Sequence, residues 1–209
     1  MLTIIILLVR HGETDTNALG MNGIEGNDAP LNETGKAQAN TAARISKKYN
    51  PTKIYTSPFL RCQQTADSIS KSTGVGIEVS ESLKEFDMGD WANMKSEDTK
   101  ALLIRHDAWD YSPSKFSFRV PGGESWEDVA LRVKSFIRDL TDNDNNTVVL
   151  VSHNATIRAF VGIMRDAHFK DWFGFPFLNG AVSAYEHKDG QYIELFINKR
   201  TIDSSERFR

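Results

Sequence analysis

Residues 2–9 read LTIIILLV and lead directly into Arg10 and His11. An apolar, largely β-branched run of this length is typical of a strand that is covered on both faces in a parallel sheet. The run is too short to cross a bilayer, and it lacks the basic leader and cleavage site of a signal peptide. We therefore predict a buried strand with Arg10 and His11 at its carboxyl end.

A second strand of the same kind is expected over Thr147 to Val151, ending at Ser152 and His153. Between and after these two strands, helix and strand patterns alternate. Helices are predicted over 32–49, from Ser57-Pro58 to about 72, over 96–109, from Gly122-Gly123 onward and over 155–164. Further strands are predicted over 53–56 and 77–79, and a hairpin around Asp189-Gly190. In the second helix, Ser57 would supply a capping hydroxyl and Pro58 the first helical residue. The alternation predicts an α/β fold, a three-layer α/β/α sandwich with a mostly parallel central sheet.

The chain has 209 residues, which suits a single domain over 1–209, and we interpret the segment 90–120 as a lid or substrate-specificity insertion. A formal net charge of -3 argues against a nucleic-acid partner. Cys62 is the single cysteine, which excludes an internal disulfide and a cysteine-based zinc cluster and favours a cytoplasmic location.

Basic side chains are concentrated where the predicted strands end. In open α/β sheets ligands bind beyond the carboxyl ends of the strands, so Arg10, His11, Arg61 and His153 are expected to form one cationic pocket. Arg61 near a helix start is disfavoured by the helix dipole, by about 0.3 to 1 kcal/mol, so an anion is expected beside it. Either a phosphate or a carboxylate such as that of Asp67 would meet that need.

His11 and His153 each follow an apolar strand, whereas the other histidines have no such setting and are interpreted as structural or surface residues. A neutral histidine can act as a covalent nucleophile that divides one displacement into two easier steps. The cationic neighbour Arg10 favours the neutral state of His11.

Five segments, taken in order, resemble the signature motifs of the histidine phosphatase superfamily, which includes the cofactor-dependent phosphoglycerate mutases. They are Leu8 to Thr14 with Asn17 just after, Ser57 to Ala66, the loop from Leu83 to Gly89, Pro121 to Ser125, and Val151 to His153. One short motif would be weak, but five in family order are specific. The resemblance implies a phosphoglycerate mutase-like fold.

The resemblance also implies roles for individual residues. His11 would accept the phosphoryl group, Arg10, Arg61 and His153 would hold its oxygens, and Asn17 would add a neutral donor. Glu85 would protonate the leaving alkoxide and later activate water.

Two positions leave alternatives open. Asp87, two residues after Glu85, could share or take over the acid role, although we favour Glu85. Asn154 stands where the family commonly has glycine, and it either binds a phosphate or substrate oxygen or caps the following helix.

The sequence therefore predicts a histidine acid-type phosphatase, a phosphoric monoester hydrolase that forms a phosphohistidine on His11 and acts on a small organic phosphate. A phosphoglycerate mutase is the first alternative. The mutases that this chain resembles look longer in the 90–120 segment and cluster basic residues there, whereas here the segment is short and its basic residues are scattered. We therefore expect water to accept the phosphoryl group from His11. A non-catalytic interaction module is the second alternative. No metal, cofactor or membrane partner is expected, and the sequence indicates no oligomeric state. The aromatic side chains between residues 86 and 118 would line the lid or belong to the core.

Overall fold

The computed structural model of the chain describes residues 3–20, 28–92, 94–108, 112–141, 146–174 and 176–201. The strands within these residues are β1 (Thr3–Arg10), β2 (Lys53–Thr56), β3 (Ile77–Val79), β4 (Thr147–Ser152), β5 (Val182–Lys188) and β6 (Gln191–Lys199). The α-helices are α1 (Asp15–Ala18), α2 (Glu33–Lys47), α3 (Leu60–Thr73), α4 (Ser96–Arg105), α5 (Trp126–Thr141) and α6 (Asn154–Met164).

The strands form one sheet in the order β3-β2-β4-β1-β5-β6. The first four of these strands run parallel, while β5 is antiparallel to β1 and β6 is antiparallel to β5. The two apolar runs, β1 and β4, are therefore central neighbours, with Arg10 paired to Ser152 at their carboxyl ends. The prediction of a mostly parallel sheet is confirmed.

Side chains alternate along β1 between two apolar layers, as the pleat of a strand requires. Ile4, Ile6 and Leu8 face a core that includes residues of α5 and α6. Leu7 and Val9 face a second core built with α2 and α3. Helices thus cover both faces of the sheet, which confirms the three-layer α/β/α sandwich.

Two predicted helix starts are wrong. Helix α3 begins at Leu60 and not at Ser57-Pro58, and the Ser57 hydroxyl lies 2.8 Å from Nε2 of His153. Helix α5 begins at Trp126, three residues after Gly123. A Cβ on Gly123 would lie 2.4 Å from the carbonyl oxygen of Asp87, so this glycine permits a close approach of two loops and does not open a helix.

Helix α4 is shorter than predicted, because it ends at Arg105 and is followed by Asp107 with a φ of 53°. Trp109, its predicted last residue, lies outside the described residues. The hairpin prediction is confirmed, since β5 and β6 are joined by Asp189 and Gly190, both with positive φ, as a type I′ turn requires. Within the described part of the chain, no helix is long and apolar enough to span a membrane.

Candidate active site

The parallel pairing of β1 with β4 brings the predicted histidines together. The rings of His11 and His153 lie 5.1 Å apart, centroid to centroid, in an edge-on arrangement. Arg61, in the first turn of α3, donates from Nη2 to Nδ1 of His153 over 3.2 Å. All three side chains are nearly inaccessible, with exposures of 3% or less.

The tautomer of His11 follows from its backbone contact. Nδ1 lies 2.7 Å from the carbonyl oxygen of Gly12, which can only accept, so Nδ1 holds the proton and Nε2 has the lone pair. Burial, followed by Arg61 and Arg10, holds the pKa of His11 well below its ordinary value. The ring is therefore neutral at pH 7, as expected from the sequence, although burial and Arg61 contribute more than Arg10 does.

His153 is held by protein groups at both nitrogens. Because Arg61 can only donate to Nδ1, the proton of the neutral ring lies on Nε2, which donates to the Ser57 hydroxyl. Burial and the charge of Arg61 hold the pKa of His153 well below its ordinary value. The Cys62 sulfur lies 3.3 Å from Nε2, and burial raises the pKa of this thiol, so it stays protonated and is a poor nucleophile.

Arg61 has an aromatic and an anionic neighbour. Its guanidinium carbon lies 4.6 Å from the ring centroid of Phe59, and Nη1 lies 3.6 Å from a carboxylate oxygen of Asp28. The same carboxylate accepts from the backbone nitrogen of Leu60 over 2.7 Å and thereby caps α3. The carboxylate alternative is thus partly right, but the residue is Asp28 and not Asp67, and nothing in the sequence pattern indicates it.

Arg10 retains a buried donor for an anion. Nη1 donates to the carbonyl of Phe177 over 2.5 Å, whereas Nε is buried without a hydrogen-bond partner among the described residues. Burial lowers the pKa of Arg10, but a guanidinium stays protonated at neutral pH. A buried donor without a partner costs free energy that a phosphate oxygen would recover.

Glu85 lies against the N-terminus of α6. Its carboxylate accepts from the backbone nitrogens of Phe86, Ala155 and Thr156 over 2.9, 3.1 and 3.3 Å. These bonds and the positive end of the helix stabilise the carboxylate. Asp87 instead accepts from the backbone of Gly89 over 2.8 Å and lines a different, smaller cavity. The geometry therefore favours Glu85 as the acid.

The sequence reasoning missed the residue that supports the acid loop, Arg132 of α5. Its guanidinium pairs with Glu124 over 2.9 Å and donates to the carbonyls of Ser82 and Glu85 over 2.8 and 3.3 Å. Glu124 in turn accepts from the backbone nitrogen of Asp87 over 3.0 Å. Glu124 lies in one of the motifs, but no sequence signal distinguishes Arg132 from the other polar residues of its helix.

Three asparagine side chains line the same cavity as Arg10. The Asn17 oxygen accepts from the Asn179 amide, which also donates to the carbonyl of His11, so the NH₂ group of Asn17 is available to a ligand. The Asn154 oxygen accepts from the backbone nitrogen of Phe177 over 3.2 Å. Asn154 is the first residue of α6 and His153 is its cap, so the capping alternative for Asn154 is wrong. Asn179 was not predicted.

A cavity of about 490 Å³ opens beside these groups. Its polar end is lined by Arg10, Asn17, Glu85, Asn154 and Asn179. The described part of the 90–120 segment contributes Ser96, Leu103, Ala108, Lys115, Phe118 and Val120. Arg10, Asn17, Asn154 and Glu85 therefore share one cavity with the segment that was expected to form a lid, whereas His11, Arg61 and His153 are buried and do not line it.

The aromatic and methionine side chains that were expected around the lid divide between cavity and core. Phe86, Met88 and Phe118 line the cavity, whereas Trp91 belongs to the core and Phe116 packs on Phe169 at 4.9 Å between ring centroids. Trp109 and Tyr111 lie outside the described residues. In the described part of the chain, no group of three or more histidine, cysteine or carboxylate side chains could hold a metal ion.

The family model for the histidine phosphatase superfamily, branch 1, matches residues 6–200. Phosphoserine phosphatase 1 of Hydrogenobacter thermophilus is 29% identical over 196 residues, which cover 92% of this chain and 91% of that protein. A protein of Photorhabdus laumondii named probable phosphoglycerate mutase is 33% identical over 161 residues, covering 75% and 73% of the two chains.

Solved structures agree with this placement. The structure of mycobacterial glucosyl-3-phosphoglycerate phosphatase in complex with VO3 superposes with a TM-score of 0.81 at 25% identity and covers 93% of this chain and 98% of its own. The matched family model spans nearly the whole chain, and all five motifs fall within it. The chain belongs to branch 1 of the histidine phosphatase superfamily.

Proposed function

We propose that this protein is a phosphomonoester hydrolase that transfers the phosphoryl group of a small organic phosphate to His11 and then to water. The observation that carries the proposal is the state of His11: a neutral ring whose Nδ1–H is bound to the Gly12 carbonyl and whose Nε2 has its lone pair available. A histidine in this state between two arginines is suited to attack phosphorus.

In the first step Nε2 of His11 forms a bond to phosphorus while the ester P–O bond breaks. Arg10 and Arg61 hold the phosphoryl oxygens, and the amides of Asn17 and Asn154 add neutral donors. His153 keeps Arg61 in place through Nδ1 and gives its Nε2–H to a phosphoryl oxygen in exchange for its bond to the Ser57 hydroxyl. Such a preorganised clamp stabilises the charge that develops in transfer. The unpartnered Nε of Arg10 supports its place in the clamp.

Glu85 provides the proton for the leaving alkoxide. The entering phosphate dianion favours the protonated carboxyl group, since like charge disfavours ionisation. In the second step water gives a proton back to Glu85 and attacks phosphorus, the N–P bond breaks, and orthophosphate leaves a neutral His11. The lining of the cavity by both Glu85 and Arg10 supports this assignment.

Several finer points belong to the same proposal. We place the enzyme in the histidine acid type as a phosphoric monoester hydrolase with an acid-assisted leaving group, a type that the branch 1 match does not itself assign. The 90–120 segment serves as the substrate-specificity lid of one catalytic domain over 1–209. A phosphomonoester is the partner, without nucleic acid or membrane, and the buried free thiol of Cys62 favours a reducing, cytoplasmic setting.

Chemical trapping tests the phosphohistidine directly. Incubation with a ³²P-labelled phosphomonoester and rapid alkaline quenching should leave acid-labile label on the wild-type protein and none on His11→Ala, which should also lose phosphate release by about 10³-fold or more. His187→Ala is the matched control, because this histidine lies on β5 away from the cavity lining. Near-normal turnover by His11→Ala would refute the covalent mechanism.

The mutase alternative is kept because the relative from Photorhabdus laumondii is named a probable phosphoglycerate mutase. Isomerisation of 3-phosphoglycerate that depends on 2,3-bisphosphoglycerate, without net phosphate release, would favour it over hydrolysis. Absence of both activities across a panel of phosphomonoesters would favour the interaction module.

A further inference from the structure

The cavity wall beyond the phosphate-binding end has a different chemistry from that end. Apolar side chains form most of it, namely Phe86, Met88, Leu103, Phe118, Trp126 and Phe169. A volume of about 490 Å³ is far larger than a phosphate group requires and lies in the range of sites for organic ligands. The wall therefore faces the organic part of a bound ester.

The rings of the aromatic wall are held in place by packing on one another and on the core. The ring of Trp126 lies 5.0 Å from that of Phe86 and 5.9 Å from that of Phe169, centroid to centroid. Phe118 packs on the buried Trp91 at 6.1 Å. Rings held in this way present a preformed apolar surface, which binds an apolar group without the entropic cost of ordering.

Polar partners are few on the same wall. Two polar side chains of the lid line it: the Ser96 hydroxyl donates to the carbonyl of Gly20 over 2.9 Å, and the Lys115 ammonium pairs with Asp107 over 2.6 Å. A polyhydroxylated sugar would bring hydroxyl groups into a region with few acceptors, and each buried hydroxyl that lost its hydrogen bonds would weaken binding.

We propose that the substrates of this enzyme are phosphate monoesters of alcohols whose organic group is bulky and apolar, with a ring as the preferred form. This inference rests on the proposed phosphatase function and adds the class of leaving group. The phosphate lies at the Arg10 end, the ester oxygen lies within reach of Glu85, and the apolar group packs between the lid and the rings of Trp126 and Phe169.

Three primary alkyl phosphates test this, because similar leaving groups remove differences in intrinsic reactivity. We expect kcat/KM for 2-phenylethyl phosphate to exceed that for ethyl phosphate by about 10- to 100-fold, the gain typical of burying one phenyl-sized group. Glucose 6-phosphate, which is equally bulky but polar, should resemble ethyl phosphate or be poorer. A preference for the sugar phosphate, or equal values for all three, would overturn the inference.

Adjacent residues of the lid helix supply a matched pair of variants. Leu103 lines the cavity, whereas Ile104 is 55% exposed and does not line it. Leu103→Ala should reduce the advantage of phenylethyl over ethyl phosphate by about 3- to 10-fold, and Ile104→Ala should leave the ratio as in wild type. An unchanged ratio in Leu103→Ala, with folding verified by circular dichroism, would contradict the proposed wall.

Failure of this inference differs from failure of the proposed function. Phosphate release from ethyl phosphate without apolar preference rejects the substrate class and keeps the phosphatase. No release from any ester, including para-nitrophenyl phosphate, rejects the phosphatase and the substrate class together.

Discussion

The N-termini of α3 and α6 are built alike, because each is bound by a carboxylate from elsewhere in the chain, but the surroundings of the two carboxylates differ. Both helices follow parallel strands at the same edge of the sheet, and neither has a side-chain cap from its own first turn. A distant carboxylate accepts from the free backbone nitrogens in each case, Asp28 at α3 and Glu85 at α6. The starts of α3 and α6 therefore both serve as anion sites.

The two carboxylates differ in what surrounds them. Asp28 has 42% of its side chain exposed and pairs with Arg61, so its charge is balanced. Glu85 lines the large cavity beside Arg10, and Arg132 holds its loop by backbone carbonyls without contacting its carboxylate oxygens. A charge-paired carboxylate is suited to structure, whereas one that faces a cavity can exchange a proton with a ligand. The difference between cap and acid thus lies in the neighbours.

The largest expected effect is at Glu85. Glu85→Gln keeps an acceptor for the backbone of Ala155 but loses the proton, so kcat for ethyl phosphate should fall by about 10²- to 10⁴-fold. The loss should be much smaller for para-nitrophenyl phosphate, whose leaving group needs little protonation. Asp28→Asn, the same change at the other helix, should cost less than about tenfold on either ester. Equal losses on both esters for Glu85→Gln would count against the acid role.

The second prediction concerns the two buried histidines, His11 and His153, which lie where the two helix starts come together: His153 contacts Arg61 of α3 and precedes α6. The pKa values of His11 and His153 are lowered well below 6.5 in the folded protein, so as pH falls below about 6.5 the unfolded chain takes up protons that the folded chain does not. The free energy of unfolding should then decrease by up to about 1.4 kcal/mol per pH unit for each histidine.

Urea unfolding at pH 7.5, 6.5 and 5.5 measures this slope. His11→Gln should lower this slope, expressed as protons taken up on unfolding, by about one relative to wild type. His187→Gln, a change at a half-buried position on β5, is the control. A slope that is the same in His11→Gln and wild type would mean that burial does not keep this ring neutral.

A third and smaller effect is expected at Arg132 of α5, which contacts the Glu85 loop and α6 but not α3. Arg132→Ala removes the ion pair to Glu124 and the bonds that hold the acid loop, so kcat for alkyl phosphates should fall by about tenfold and stability by about 1 to 3 kcal/mol. Inhibition by orthophosphate should change little, because Arg61 is untouched. Arg138→Ala, an exposed position on the same helix, is the control.

Partial recovery of kcat in Arg132→Lys would indicate positioning of the loop by a cation. A parallel loss of phosphate affinity in Arg132→Ala would show instead that the two helix starts are not independent.

The smallest effect is expected at Asp28. Asp28→Asn keeps a capping oxygen but removes the charge next to Arg61, so orthophosphate should inhibit about two- to fivefold more tightly with little change in thermal stability. Asp28→Ala loses the cap as well and should cost about 1 kcal/mol. Weaker orthophosphate inhibition in Asp28→Asn would mean that Asp28 orients Arg61 more than it competes with the ligand.

Much of this comparison is invisible in the sequence for a physical reason. Asp28 lies 32 residues before its partner Leu60, Arg132 contacts the carbonyl of Glu85 from 47 residues away, and Asn179 contacts Asn17 from 162 residues away. Side chains of this kind are selected by a position in space that only the packed chain creates. Sequence periodicity describes a residue's own element and not the residue that faces it.

What the amino-acid sequence determined by itself is local or repeated in pattern. The continuous apolar runs of β1 and β4 predicted central strands, because short, β-branched apolar runs are typical of strands covered on both faces. The placement of Arg10, His11 and His153 at one edge followed. The tertiary structure alone decided that Ser57 binds His153 and does not cap a helix, that Asp28 caps α3, and that Glu85 rather than Asp87 faces the cavity. These outcomes depend on which backbone and ring nitrogens still lack a hydrogen-bond partner after the layers pack. That pairing is defined only in the folded protein.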